Sequence, residues 1–318
     1  IQIESKTSKT VTSNFTRIYS DSNSTISRSN PNVHLENLAK SMLNLLIDTI
    51  KLFNQVTESI EENPQFFVNL VNKNLVMKTK TSSSIPTMMN NKLKILHLNA
   101  QSIVNESKKI LLQNLIESTD PDVISINETF LKPKKPLNLL NYNVYRSDRL
   151  FRKGGGAAIC IKKTLSGNPI DLSNILTHEN GIGYELDLKN NKKLAIFSIF
   201  CSPCTRINPE IFDHIKNKHI NSVIIGDLNA KNSMWHCKST DPKGEVLENI
   251  LSELNMHVLN SSKRTYNRGK SVLNLYICSN SIRKYFESHQ VLDFKISDHQ
   301  PTMTTFNNIN SEPKRFKT

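Results

Sequence analysis

Six polar side chains stand where apolar runs stop: Asn99 after LKILHL, Glu128 after VISIN, Asp227 and Asn229 just past SVIIG, and the Asp298-His299 pair ahead of PTMTTF. The end of a strand is where a sheet can hold a side chain rigidly at a common rim. Carboxylates, amides and one imidazole suit a hard cation, Mg2+ or Mn2+, which prefers oxygen donors and keeps several waters. Such an ion neutralises a phosphate and activates or orients water. Taken singly, each residue is commonplace, because an acid after a strand is usually a solvated loop residue. Their recurrence at several strand ends is what points to a site.

The elements that must position them follow from periodicity. LKILHLN, DVISIN, AAICI, GIGYELDL, KLAIFSIF, SVIIG, SVLNLYIC, QVLDF and PTMTTF read as strands. Helical patterns run over about 106–118, 210–216 and 244–254. Adjacent hairpin candidates and an excess of strands fit a single parallel sheet poorly. The expectation is a four-layer α/β sandwich, two packed mixed β-sheets flanked by helices, over residues 92–307. Ahead of it, residues 1–33 are Ser/Thr/Asn-rich and expected to be disordered. Leu35, Leu38, Met42, Leu45, Leu46, Ile50 and Phe53 mark an amphipathic helix over 34–62, and 63–91 reads as a polar linker. Residues 308–318 read as a tail. The chain lacks an initial Met, which fits a fragment, and Met88 or Met89 would suit a translation start.

Lys and Arg outnumber Asp and Glu by 41 to 28, a net +13. Residues 1–90 hold 9 basic and 7 acidic side chains, so 91–318 carry 32 and 21, a net +11 on the part that reads as folded. That excess favours a polyanionic partner such as nucleic acid. No run approaches the roughly twenty apolar residues of a membrane span, so no membrane partner is expected. Cys201 and Cys204 form a CxxC among five cysteines. With no second pair at zinc spacing, and His236-Cys237 not supplying one, free thiols in a reducing compartment are expected.

The ordered series LNAQS (98–102), INET (126–129), RSDR and RKGGGAAI (146–159), FSIFCSP (197–203), GDLNA (226–230), SVLNLYICS (271–279) and SDH (297–299) resembles the endonuclease/exonuclease/phosphatase superfamily. Within it the chain is most similar to the apurinic-type endonuclease domain of non-LTR, jockey-like retrotransposons, through the Gly-Gly-Gly hairpin and Trp235 shortly after GDLNA. The resemblance covers about 215 residues. It implies that Glu128 binds a metal, with Asn99 supporting it and Asp298 near the metal. It implies that Asp227 positions or deprotonates the attacking water, that Asn229 is its hydrogen-bonding neighbour, and that His299 stabilises charge on the phosphate. The implied activity is metal-dependent nicking of DNA, which in the family primes reverse transcription. Implied partners are DNA, element RNA and a reverse transcriptase domain that this chain lacks. The implied setting is synthesis in the cytoplasm and action in the nucleus.

Two positions depart from the family pattern. Phe200 stands where a tyrosine is usual, and Asn274 where an aspartate orients the histidine and favours its charged form. A catalytically impaired nucleic-acid-binding remnant is therefore an alternative. A repair-type abasic-site nuclease and a phosphoinositide phosphatase are others, against which RKGGGAAI and DLNA…W weigh.

Overall fold

The computed structural model describes residues 91–150, 154–176, 180–269 and 271–314, together with Lys40, Leu43, Asn44 and Ile47. The chain divides into two units, Ile1–Met88 and Met89–Thr318. In the first, the four described residues are helical and exposed. The expected disordered stretch 1–33, the linker up to residue 90 and the rest of the amphipathic segment 34–62 lie outside the described residues.

Among its described residues the second unit holds twelve strands. These are β1 (Lys92–Asn99), β2 (Val123–Asn127), β3 (Tyr142–Ser147), β4 (Ala157–Lys162), β5 (Gly167–Ile170) and β6 (Asn180–Leu188). They continue as β7 (Lys192–Phe200), β8 (Ser222–Asp227), β9 (Met256–Val258), β10 (Asn274–Ser279), β11 (Phe286–Val291) and β12 (Thr302–Asn307). The longer helices are α1 (Glu106–Thr119), α2 (Pro209–Lys218) and α3 (Pro242–Glu253). One six-stranded sheet has the order β11-β12-β1-β2-β4-β3 and the other β5-β6-β7-β8-β10-β9.

Each sheet is mixed around one parallel pair, β1 with β2 and β7 with β8. A parallel pair needs a crossover long enough to return the chain, and α1 and α2 are those crossovers. Each of these three helices starts on a side-chain cap: Asn105 accepts from Ser107 N–H, Asn208 from Glu210 N–H and Asp241 from Gly244 N–H.

Strand alternation sorts the apolar residues into three layers of core. Leu93, Ile95, Val123, Ile159, Ile196, Val223, Ile225, Tyr276 and Phe306 fill the space between the sheets. Leu112, Leu115 and Ile116 of α1 cover the outer face of the first sheet, against Leu96, Leu98, Ile124 and Ile126. Ile211, Phe212 and Ile215 of α2, with Leu247, Ile250 and Leu251 of α3, cover the second, against Phe197, Ile224 and Ile277. The result is the expected four-layer sandwich. Each fully buried aliphatic or aromatic side chain contributes about 1.5–3 kcal/mol through removal from water.

Several local expectations differ. β3, β5 and β9 carry no clear strand pattern in the sequence, and all of them lie at sheet edges. An edge strand is set by one partner and shows little apolar patterning of its own. The QVLDF segment is a strand only through Val291, because the pairing of β11 with β12 ends at Val291↔Thr302. Beyond it Leu292 N–H turns to the carbonyl of Pro301. Residues 308–314 are not a free tail: Lys189 N–H donates to Asn310 O, Glu312 N–H to Asp187 O and Lys314 N–H to Thr164 O, pinning the segment along the β5–β6 edge. Gly226 serves close approach, not a positive-φ turn; a Cβ there would lie 1.7 Å from the carbonyl oxygen of Ile199.

Candidate active site

The space between the sheets changes character along its strands. In β1 the inward positions run Leu93, Ile95, His97, Asn99; in β2, Val123, Ser125, Asn127; in β8, Val223, Ile225, Asp227. Apolar packing thus gives way to buried polar groups at one end, where Asn99, Asn127, Asp227 and Asn274 are all buried.

Asn99 is the hub. Its Nδ2 donates to Glu128 Oε1 and to Asp227 Oδ2, each at 2.8 Å, while its Oδ1 accepts from Gln101 N–H. One amide therefore holds two carboxylates from different sheets. Asp227 Oδ1 accepts from Asn229 N–H at 3.1 Å, and Asn229 Nδ2 is anchored on Cys201 O. His299 Nε2 lies 3.7 Å from Asp227 Oδ2 and 3.9 Å from Asp298 Oδ1, and its Nδ1 is 3.0 Å from Asn274 Oδ1. These contacts join Asn99, Glu128, Asp227, Asn229, Asn274, Asp298 and His299 in one continuous network.

Two of these residues hold a left-handed backbone, Glu128 at φ 52° and Asn229 at φ 48°. For a non-glycine residue that conformation costs of order 1–2 kcal/mol. From these positions Glu128 accepts from the Asn99 amide at the end of β1, and Asn229 donates to the Cys201 carbonyl just past β7. Phe200 closes β7, is buried, and by alternation shares the face of Ile196 and Ser198, toward the first sheet.

Electrostatics divide the roles. Burial pushes the Asp227 carboxyl up to about 7, against the opposing hydrogen bonds from Asn99 and Asn229. Burial pulls His299 down to about 4, opposed by the charge of Asp298. At neutral pH the imidazole is therefore uncharged, and its contact with Asp227 is not an ion pair. Asn274 Oδ1 can only accept, so Nδ1 of His299 carries the proton and Nε2 presents a lone pair to the carboxylates. Glu128 is raised by burial and further by Asp298, with the Asn99 hydrogen bond opposing both.

Among the described residues no cluster of three or more His, Cys, Asp or Glu is arranged to hold a metal. The donor chemistry nonetheless fits Mg2+, which typically takes one or two carboxylates and completes its shell with water and substrate phosphate. Glu128 and Asp298 are oxygen donors close enough to repel each other, and Asp298 Oδ1 is buried with no hydrogen-bond partner. Those two would hold the ion.

Sequence reasoning missed several residues at this end. Tyr266 lays its ring 4.7 Å from that of His299, and Arg268 Nε meets Asp298 Oδ2 at 3.0 Å. Thr265 Oγ1 accepts from Leu273 and Asn274 N–H, fixing the start of β10. Lys108 Nζ donates to the carbonyls of Ala100 and Gln101 close to both acids. These residues sit in a loop or on a helix face, where no apolar run marks them; the basic cluster KRTYNR was the one available sign.

A family profile described as endonuclease–reverse transcriptase matches residues 194–303. The endonuclease domain of TRAS1, a telomere-specific non-LTR retrotransposon, has the same fold, with a TM-score of 0.58, 20% identity, and coverage of 68% of this chain and 98% of that one. Residues 194–303 are thus similar to that family, and the fold is the one the TRAS1 domain adopts. The AP endonuclease LMAP from Leishmania major also matches in fold, with a TM-score of 0.58, 12% identity, and coverage of 71% of this chain and 91% of that one. In sequence, the chain is similar to the probable RNA-directed DNA polymerase from transposon BS of Drosophila melanogaster, 27% identical over 187 residues. It is also similar to the RNA-directed DNA polymerase from mobile element jockey of the same fly, 24% identical over 179 residues. Each match covers 55% of this chain and 19% of the relative.

Proposed function

We propose that residues 92–307 form an Mg2+-dependent endonuclease (Mn2+ being able to substitute) that nicks DNA at the insertion site of a non-LTR retrotransposon. The observation that carries this reading is the Asn99 amide clamping Glu128 and Asp227 at 2.8 Å each, with His299 3.7 Å from the same Asp227 oxygen. Asp227, poised near neutrality by burial, takes a proton from the attacking water. Asn229 holds that carboxylate in place through its backbone N–H. His299, with its Nε2 3.7 Å from Asp227 Oδ2, would meet the phosphate oxygens beside that carboxylate. Asn99 keeps Glu128 and Asp227 in register through the reaction. A bound divalent ion would offset the charge that develops on the phosphate.

The nick would supply the 3′-hydroxyl for reverse transcription by a polymerase carried on other parts of the relatives, with element RNA as template and the nucleus as the place of action. Burial leaves His299 uncharged at neutral pH and Asn274 brings no negative charge to offset it, so the reading includes a slow enzyme. The test is nicking of supercoiled plasmid by purified protein with Mg2+, with and without EDTA. Open circles formed with Mg2+ and abolished by EDTA are expected. Tight DNA binding with no metal-dependent nicking would reject the enzyme and leave a binding module.

A further inference from the structure

The polar half of the space between the sheets contains a seam that the proposed chemistry does not use. His97 Nδ1 lies 2.9 Å from Ser125 Oγ, and Ser125 Oγ donates across to Ser198 Oγ at 2.8 Å. Asn127 Nδ2 also donates to Ser198 Oγ, at 3.2 Å, and Asn127 Oδ1 accepts the backbone N–H of Asp227 at 2.8 Å. His97, Ser125, Asn127, Ser198 and Asp227 are all buried. Ser125 and Asn127 belong to one sheet, Ser198 and Asp227 to the other.

A buried amide with both ends satisfied across two sheets fixes their relative position, whereas an apolar side chain of the same shape would fill the space without fixing it. Asn127 immediately precedes Glu128, lies beside Asn99 in the β1–β2 register, and holds the main chain of Asp227. Its amide has one compatible orientation, because a flipped amide would turn its NH2 toward the Asp227 N–H. Ser198 supplies the acceptor for Nδ2, and Ser125 directs its own proton to the same oxygen.

We propose that Asn127 is a positioning residue, oriented by Ser198, that sets the spacing of the Glu128 and Asp227 carboxylates across the two sheets. The inference rests on the nuclease reading. Displacing a reacting group by ~1 Å costs on the order of 10²-fold in rate, so the effect falls on turnover and on metal affinity. DNA affinity, set by the basic surface, stays in place.

The experiment compares the parent with Asn127→Leu, which keeps the shape and loses both hydrogen bonds, and Ser198→Ala, which removes only the acceptor. Three quantities are measured: kcat and KM for plasmid nicking, Mg2+ affinity by calorimetry, and thermal melting. Asn127→Leu is expected to lower kcat by about 30-fold or more with KM for DNA within about two-fold, and to weaken Mg2+ by several-fold. Ser198→Ala is expected to fall between. Unchanged kcat per folded molecule, or equal losses in kcat and DNA affinity with Mg2+ affinity intact, would overturn the proposal. If Asn127→Leu does not fold, Ser198→Ala decides by the same criteria. A parent that does not nick refutes the nuclease reading, and the Mg2+ affinities then decide this one separately.

Discussion

Asn274→Asp would place a carboxylate oxygen where Asn274 Oδ1 now stands, 3.0 Å from Nδ1 of His299. At an effective dielectric near 20 a charge pair at ~3 Å interacts by roughly 5 kcal/mol, or about 4 pKa units. Water at the mouth of the site and the repulsion of Asp227, the register partner of Asn274, reduce that to roughly 2 units. His299, now near 4, would then titrate about two units higher. The charged fraction at pH 7 rises about 100-fold, and nicking that needs an Nε2–H donor rises with it. The loss of ~10⁴ in kcat on a comparable Asp-to-Asn change in a serine protease sets the ceiling. The variant-to-parent ratio must also depend on pH. Well below pH 4 both imidazoles are charged and the ratio is close to one; it climbs between about pH 4 and 7 and then levels. Plasmid nicking from pH 5 to 8.5 at fixed Mg2+ measures this. A ratio that is flat with pH, or parent and variant rates that are equal throughout, would refute the reasoning. A stability cost of about 1 kcal/mol is expected, because Asn274 Nδ2 now faces the carbonyl of Gln300 and a carboxylate oxygen would not donate to it.

Phe200→Tyr adds a single neutral donor and should raise nicking less than Asn274→Asp; the reverse order in the same assay would mean that the hydroxyl, not the histidine charge, limits turnover. Asn99→Leu removes both 2.8 Å bonds and should lower kcat by about 10²–10³ while raising the Mg2+ concentration for half-activity; rates within a few-fold of the parent would argue against the clamp. Gly226→Ala would force a Cβ to 1.7 Å from Ile199 O and should cost several kcal/mol in urea unfolding, with near-parental stability counting against the close approach. His97, His289 and His299 are held by burial near 3, 4 and 4, so the folded state keeps them neutral while the unfolded chain protonates below about 6.5. Their stabilisation is full above that pH and is lost as pH falls toward 4. Asp227, held near 7, acts in the opposite sense, losing stability as pH rises from its ordinary value. The net expectation is a fall of roughly 2 kcal/mol per pH unit near pH 5 in urea titrations, and a flat profile there would contradict it.

Asn99, Glu128, Asp227, Asn229, Asp298 and His299 were legible in the sequence because each follows or precedes an apolar run, and local hydrophobic period is a property of the chain itself. The helices over Glu106–Thr119, Pro209–Lys218 and Pro242–Glu253 were legible for the same reason. Only the tertiary structure brought Asn99 to Asp227, 128 residues away, and Asn127 to the Asp227 backbone, 100 away. Pairing across two sheets depends on strand order, which no local pattern encodes. Tyr266 and Arg268 lie in the loop between β9 and β10, and their contact with His299 and Asp298 follows from how that loop folds back on Ser271. The proton affinities of Asp227 and His299 belong to the fold as well. Burial moves both from their ordinary values, and burial exists only once the sheets have packed.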